Sequence, residues 1–417
     1  MAGPGSLTVT IPTSQVTAYL DHAATTPMLP SAVAAMTEQL GTVGNASSLH
    51  TAGRGAGRAV EEARERLART IGARPSEVIF TSGGTESDNL AVSGTFAARR
   101  EADPRRDHIV ASAIEHHAVR DCVEHLVARH GARVTWVEPD AEGVVSAAAV
   151  REAVAADPAS VALVTVMWAS NEVGTVQPVR EIAAVAHEFD IPFHVDAVQA
   201  LGHVPVDFSG SGADLMTITA HKTGGPLGVG ALVARRDARL VPLTFGGNQE
   251  RHLRGGTLNV PAIRGFAVAA QESVAVLDAE SERLVVLRDR LITAALALGH
   301  GITVTGHWEA GDGIRRLPGN AHLLVPGCDG DSLLHLLDAA GVECSTGSAC
   351  QAGLPQPSHV LLAMGLAEER ARGALRLTLG HTSTDADVDA FLRALPAAVE
   401  RARRPRNGTT WRPRVRS

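Results

Sequence analysis

Asp214-Leu-Met-Thr-Ile-Thr-Ala-His221-Lys222-Thr-Gly-Gly-Pro226 runs from a short apolar strand into a turn of small residues, and it carries the only lysine among 38 basic residues. Arginine replaces lysine for solubility, ion pairs and most anion binding. It does not form a Schiff base, because its guanidinium stays protonated where a lysine amine can be depressed to a nucleophile. A chain that uses arginine everywhere else and keeps one amine has this pattern, and so does an alanine- and arginine-rich chain that has drifted. The neighbouring stretches decide between the two.

Working outward, similar short buried runs recur, each followed by a helical stretch. Val78-Ile-Phe80 precedes a helix from about Glu86, and His108-Ile-Val-Ala111 precedes one through Val119, Val123 and Leu126. Val161–Val166 precedes a helix from Val179 to Phe189, and Phe193-His-Val195, Leu215–Ile218 and Val229–Val233 complete the set. Arg58 to Ile71 has helical spacing of Val60, Ala63, Leu67 and Ile71. Strands alternating with helices predict an α/β fold around a mostly parallel sheet. After Pro261 the pattern changes to a long helical stretch reaching about Leu298. Strands at Ala321–Val325 and Ala374–Leu377 and helices at Ser332–Ala340 and Asp385–Arg401 follow. The expected organisation is a loose leader over 1–17, a large domain over 18–260, a smaller α+β domain over 261–403 and a basic disordered tail over 404–417. The first residues of the large domain are expected to pack on the small one.

The bulk numbers narrow the class. At 417 residues with 45% apolar and 20% charged residues, the chain has an ordinary globular composition. A net charge of −7 argues against direct DNA binding. The four cysteines, Cys122, Cys328, Cys344 and Cys350, form neither a CxxC pair nor a secreted framework, so free thiols in a reducing cytoplasm are expected. Met1 to Thr17 lacks the pattern of a signal peptide, and no apolar run reaches the roughly 20 residues that span a bilayer. No membrane association is expected.

Six further stretches carry chemistry. Thr81-Ser-Gly-Gly84-Thr85-Glu-Ser87 joins a strand to a helix, and its glycines allow backbone N–H groups to face a phosphate, although the GK[ST] ending of a Walker loop is missing. Phe193-His-Val-Asp196-Ala-Val-Gln199 puts a carboxylate at a strand's C-terminal end, where it can pair with a protonated pyridine nitrogen, cap the next helix, or join His194 in a metal site. His116, in Ile114-Glu-His-His117, can stack on a flat ring, and Asn171, in Trp168-Ala-Ser-Asn171-Glu-Val-Gly174, reaches a ring substituent. Gly341 to Gly353 is a small-residue loop with Cys350 near its centre, and Cys344 is the more buried thiol. Arg376, in the alternating Ala374–Leu379, needs an anion, either a substrate carboxylate or a structural partner. Each stretch has an ordinary structural explanation. Phosphate cup, ring-nitrogen carboxylate, stacking imidazole, lone amine and carboxylate clamp are together the parts of one pyridoxal phosphate site.

With these motifs in order, the chain resembles a NifS/IscS-type cysteine desulfurase over about Tyr19 to Leu395. The matching residues are Tyr19-Leu-Asp-x-x-Ala-Thr-Thr-Pro27, Gly44-Asn45 to His50, Phe80 to Asn89, Glu115-His116, Asn171-Glu-x-Gly174 and His194-x-Asp196-x-x-Gln199. They continue through His221-Lys222, Arg254-x-Gly256-Thr257, Gly347-Ser-Ala-Cys350 and Arg376. The resemblance implies a fold-type I pyridoxal phosphate transferase of the class V aminotransferase family. It implies that Lys222 carries the cofactor, that Gly84, Thr85, Thr219 and His221 surround its phosphate, and that Thr257 reaches the phosphate of a partner subunit in a homodimer. It further implies that His116 stacks on the ring, Asp196 meets the ring nitrogen, Asn171 and Gln199 face the ring hydroxyl, and Arg376 with Asn171 holds the L-cysteine carboxylate. Cys350 would take the sulfur as a persulfide, can transiently ligate an iron–sulfur cluster, and would pass sulfur to an iron–sulfur scaffold or a tRNA-thiolating enzyme. No permanent metal is implied.

The chain departs from the common pattern at Thr219-Ala220, where Ser-Gly usually precedes His-Lys, at Arg254-Gly-Gly-Thr257 for Arg-Ser-Gly-Thr, and at Gln351, where Thr is frequent. The last bears on the choice of acceptor. The rival readings are a selenocysteine lyase or another aminotransferase-fold enzyme, a metal-dependent hydrolase using His194, Asp196 and His221, and a sulfur-carrying scaffold without turnover.

Overall fold

The computed structural model describes residues 18–347 and 357–403. The 1–17 leader, the 404–417 tail and Cys350 lie outside the described residues. In chain order the elements are β1 (Ala18–Tyr19), α1 (Pro30–Leu40), α2 (Thr51–Thr70), β2 (Val78–Thr81), α3 (Gly84–Ala102), β3 (His108–Ser112) and α4 (His117–His130). Next come β4 (Arg133–Val137), α5 (Ala147–Ala155), β5 (Val161–Thr165), α6 (Val179–Glu188), β6 (Phe193–Asp196), α7 (Phe208–Ser211), β7 (Leu215–Thr219) and β8 (Gly230–Ala234). The last third holds α8 (Val260–Ala275), α9 (Leu277–Ala297), β9 (Thr303–Val304), β10 (Asn320–Leu324), α10 (Gly330–Asp338) and β11 (Val342–Glu343). It ends with α11 (His359–Ala363), α12 (Glu368–Ala371), β12 (Ala374–Thr378) and α13 (Asp385–Ala402).

Seven strands form the central sheet in the order β2-β8-β7-β6-β5-β3-β4. β8 runs antiparallel to β2 and β7, and the remaining pairs are parallel. Every residue of β2, β3, β5, β6, β7 and β8 is buried, the continuous apolar pattern of strands covered on both faces. β4 is an edge strand and, unlike the covered β2 at the other edge, mostly half-exposed, which is why its apolar run is weak and the sequence pattern does not reveal it. The C-terminal ends of β3, β5, β6 and β7 lie side by side, where open α/β sheets place their ligands.

Two helices differ from expectation. α2 begins at Thr51 rather than Arg58, through Thr51-Ala-Gly-Arg-Gly-Ala-Gly57, a glycine content that disfavours a helix locally. Packing overrides propensity there: Gly53 is buried, and a Cβ on it would sit 2.3 Å from the Ser48 carbonyl oxygen. The long helix after Pro261 is two helices, α8 and α9, bent by 71° at Val276. α8 buries Val260, Ile263 and Phe266 in the core beneath the central sheet, whereas α9 gives Leu284, Leu291 and Ile292 to a second core. Along this helix pair the packing passes from the first core to the second near Val276, and the first core also takes Leu317, Leu324 and Val360 from the last third of the chain.

The second core surrounds the antiparallel sheet β12-β10-β9. β1 pairs with β11 in parallel, and Ala18 and Leu20 join this core, so the first described residues are packed against the last third of the chain. Among the described residues no single helix is long and apolar enough to cross a bilayer.

Candidate active site

A cavity of about 450 Å³ opens at the C-terminal ends of the central strands, a volume suited to a small ligand. Lys222 lies just beyond β7 and donates from Nζ to the carbonyls of Ala23 and of Ala24, the latter at 2.7 Å. Burial, and then the Arg376 charge, lower its pKa to about 8, with Asp21 and Asp196 opposing. Its solitude in the sequence thus coincides with an amine whose pKa is depressed.

Asp196 ends β6 and is buried, with Oδ1 accepting from the Val198 N–H at 2.9 Å. That turn is the local hydrogen bond the sequence allows, and the carboxyl still lines the cavity. Burial raises its pKa to about 6, against the Val198 N–H and Lys222. His194, two residues earlier, has both ring nitrogens on threonine hydroxyls, Thr165 at 2.9 Å and Thr217 at 3.0 Å. Its ring is engaged inside the sheet, so the hydrolase reading loses its first ligand. Among the described residues no group of three or more His, Cys, Asp or Glu is placed to hold a metal.

His116 caps α4, and its Nδ1 accepts from the Ala118 N–H at 3.1 Å, which leaves the proton on Nε2. Burial, and then Lys222, lower its pKa to about 4, so the ring is neutral at pH 7. His221 also has a pKa near 4, lowered by burial and then by Lys222, and its Nδ1 lies 3.3 Å from the Thr25 hydroxyl. Gln199 donates to the Ala23 carbonyl at 3.0 Å, the same oxygen that Lys222 uses.

α3 starts at the cavity with Gly83 as its N-cap and no side chain bonded to its first turn. Ser87 is the first residue whose N–H bonds back, to the Gly83 carbonyl at 3.2 Å, so the amides of Gly84, Thr85 and Glu86 are left for an anion. A Cβ on Gly84 would stand 2.9 Å from Val198 Cγ2, so the bare glycine keeps this cradle open. Thr219 and His221 line the same cavity. Uncapped amides, a buried carboxylate, a neutral imidazole and a lysine whose pKa is lowered to about 8 fit a phosphorylated pyridine aldehyde.

Arg376 on β12 approaches from the other sheet. Its Nη2 is paired with Asp21 Oδ1 at 2.8 Å, Nη1 donates to the Asn171 carbonyl at 3.0 Å, and the buried Nε has no partner. Both alternatives for this arginine are therefore present, a structural partner in Asp21 and a position on the cavity wall. Thr257 is exposed and away from the cavity of its own chain. Gly347, on the cavity wall, is the last described residue before Cys350.

The structure adds residues that local pattern did not flag. Asp88 and Glu115 are fully buried at the cavity, and burial followed by repulsion from Asp196 raises both carboxyls well above their usual range. His359 also lines it, with Nε2 at 2.9 Å from the Glu115 carbonyl. Asp21, Asp88 and Glu115 stand within quoted motifs, but only the fold shows what they face.

Residues 18–391 match the family model described as Aminotransferase class-V. An IscS-like cysteine desulfurase of Mycobacterium tuberculosis is 58% identical over 387 residues, covering 93% of this chain and 97% of that protein. Among solved structures, a NifS-like protein superimposes with a TM-score of 0.82 at 33% identity, over 92% of this chain and 98% of the other. SspA in complex with cysteine matches with a TM-score of 0.74 at 34% identity, over 88% and 99%. The lone lysine, the strand-end carboxylate and the whole length of the fold thus point the same way, and the chain belongs to the class V aminotransferases, among the IscS- and NifS-like cysteine desulfurases.

Proposed function

We propose that this chain is a pyridoxal phosphate-dependent cysteine desulfurase that converts L-cysteine to L-alanine and stores the sulfur as a persulfide on Cys350. The observation that carries this reading is the single lysine, Lys222, with a pKa near 8, in one cavity with Asp196 and Arg376. The α3 amides at Gly84 and Thr85, with Thr219 and His221, would hold the phosphate. His116 would offer its neutral ring as a flat face, Asp196 would meet the ring nitrogen, and Asn171 and Gln199 would face the hydroxyl. When bound, the cofactor supplies a sink for the electron pair left at Cα.

The residues divide the work. Arg376 takes the substrate carboxylate, exchanging its contact with Asp21 for a pair that fits its guanidinium fork. Lys222 removes the Cα proton as a base and later returns a proton. Asp196, next to a protonated nitrogen, becomes fully ionised, because a nearby cation reverses the effect of its burial. The Cys350 thiolate attacks the substrate sulfur: the S–S bond forms, the Cβ–S bond breaks, and its electron pair goes to carbon, which takes a proton. Cys350 is oxidised to the persulfide and the substrate carbon is reduced, so no external oxidant is required.

The proposal extends to a homodimer in which Thr257 completes the partner's phosphate site. Supporting it, Leu49, Leu227 and Phe245 are 89%, 71% and 81% exposed in the single chain. A cytoplasmic setting and a protein acceptor, either an iron–sulfur scaffold or a tRNA-thiolating enzyme, complete the reading. The test is the purified protein with L-cysteine. Alanine and a Cys350 persulfide are expected, both lost in Cys350→Ser while cofactor binding persists. Sustained alanine formation by Cys350→Ser would refute the mechanism.

A further inference from the structure

Glu172 follows Asn171, and its carboxyl has no role in the chemistry above. It is 4% exposed, and burial raises its pKa, with Ser358 and Arg376 opposing. Its Oε2 accepts from Ser358 Oγ at 2.5 Å. Ser358 is the N-cap of α11 and also accepts from the Leu361 N–H at 3.2 Å, so it fixes where the chain resumes after the Cys350 segment.

The departing end meets the same carboxyl. Gly347 has φ +88°, and a Cβ on it would lie 3.5 Å from both Glu172 Oε2 and His322 Nε2. That His322 nitrogen is buried without a partner. Two residues earlier, Ser345 exchanges backbone hydrogen bonds with Arg376, at 3.1 and 2.7 Å. Arg376 in turn holds the Asn171 carbonyl, and Asn320 holds the Glu172 carbonyl at 2.9 Å. Both ends of residues 347–358 therefore converge on the peptide that braces the arginine clamp.

We propose that Glu172 is a positioning residue for the sulfur-transfer half of the reaction: its buried carboxyl bonds Ser358 and packs under Gly347, tying together the two described ends that flank Cys350. This rests on the reading of Cys350 as sulfur acceptor. Glu172 touches neither substrate nor cofactor in this scheme, so the two halves of the reaction separate. Exchange of the Cα proton of L-alanine needs Lys222 and Arg376 but no thiol, whereas persulfide formation needs Cys350 in place.

The experiment measures both in the cofactor-loaded full chain, by deuterium incorporation into L-alanine and by single-turnover persulfide labelling of Cys350. The bound cofactor's absorbance is a third readout. Glu172→Ala and Ser358→Ala are expected to slow persulfide formation by about tenfold or more, with exchange and absorbance unchanged. Glu172→Gln restores the rate, since its amide oxygen still accepts from Ser358. Unchanged persulfide formation, or exchange falling in parallel, would overturn the proposal, and if Glu172→Ala does not fold, Ser358→Ala decides. Wild-type protein that forms no persulfide fails the functional reading itself, and the proposal with it, which the wild-type and Cys350→Ser controls distinguish.

Discussion

A lysine with a pKa near 8 is about one-tenth neutral at pH 7, against a few parts in ten thousand for an ordinary lysine. Only the neutral amine attacks an aldehyde, so capture of pyridoxal phosphate by the cofactor-free protein should accelerate as pH rises and level off above about 8. Stopped-flow absorbance from pH 6 to 10 reads this directly, and a rate still climbing steeply at pH 10 would mean the amine is not depressed. Lys222→Arg, which keeps the charge, should lose turnover by ~10²–10⁴-fold, and Lys222→Ala by as much. At the clamp, Arg376→Lys should raise KM for L-cysteine by about ten- to a hundredfold through loss of the two-pronged contact. Asp21→Asn should lower KM, because it frees the guanidinium that Asp21 now holds at 2.8 Å. Lys222, Asp196 and His116 could be found in the sequence because each stands at, or a few residues beyond, the end of an apolar strand. The Asp21–Arg376 pair could not, since its members are 355 residues apart and no local period connects them.

At the scale of elements, the phosphate cradle depends on α3 entering the cavity without a side-chain cap. Gly84→Ala places a methyl 2.9 Å from Val198 Cγ2, so either the turn or β6's following loop must shift. Overpacking of this kind costs about 1–3 kcal/mol. The expected result is weaker binding of pyridoxal phosphate in an equilibrium titration, with the thermal midpoint of the cofactor-free protein only slightly lowered. A midpoint that collapses with unaltered affinity would place the glycine's role in the core instead. The strand–helix alternation predicted the sheet because six of its strands are wholly buried. It did not reveal β4, which is half-exposed at the edge, or the start of α2, where three glycines mask a helix that tertiary contact stabilises. The α8–α9 bend was hidden too, because apolar spacing continues through Val276 while the face changes core.

At the scale of the molecule, the proposed dimer makes Thr257 useful only in pairs. Phe245→Asp combined with Leu227→Asp should yield monomer in sedimentation velocity and weaken cofactor binding, and Thr257→Ala should weaken binding while leaving the dimer intact. A double variant that stays dimeric would remove those surfaces from the interface. The packing of the first described strand against the last third of the chain has a consequence for biosynthesis. The Ala23 amide waits for the Thr378 hydroxyl, 355 residues later. At 5–20 residues per second a ribosome takes roughly 20–70 s to cover that interval. The turn whose Ala23 and Ala24 carbonyls receive Lys222 is therefore made early, held in part by Gln199 and Lys222, and completed only by Thr378. Arg376, whose charge helps to depress the Lys222 amine, is also a late arrival. Burial is the larger cause of that depression and Arg376 the second, so a nascent chain stalled before β12 should take up the aldehyde more slowly than the finished polypeptide.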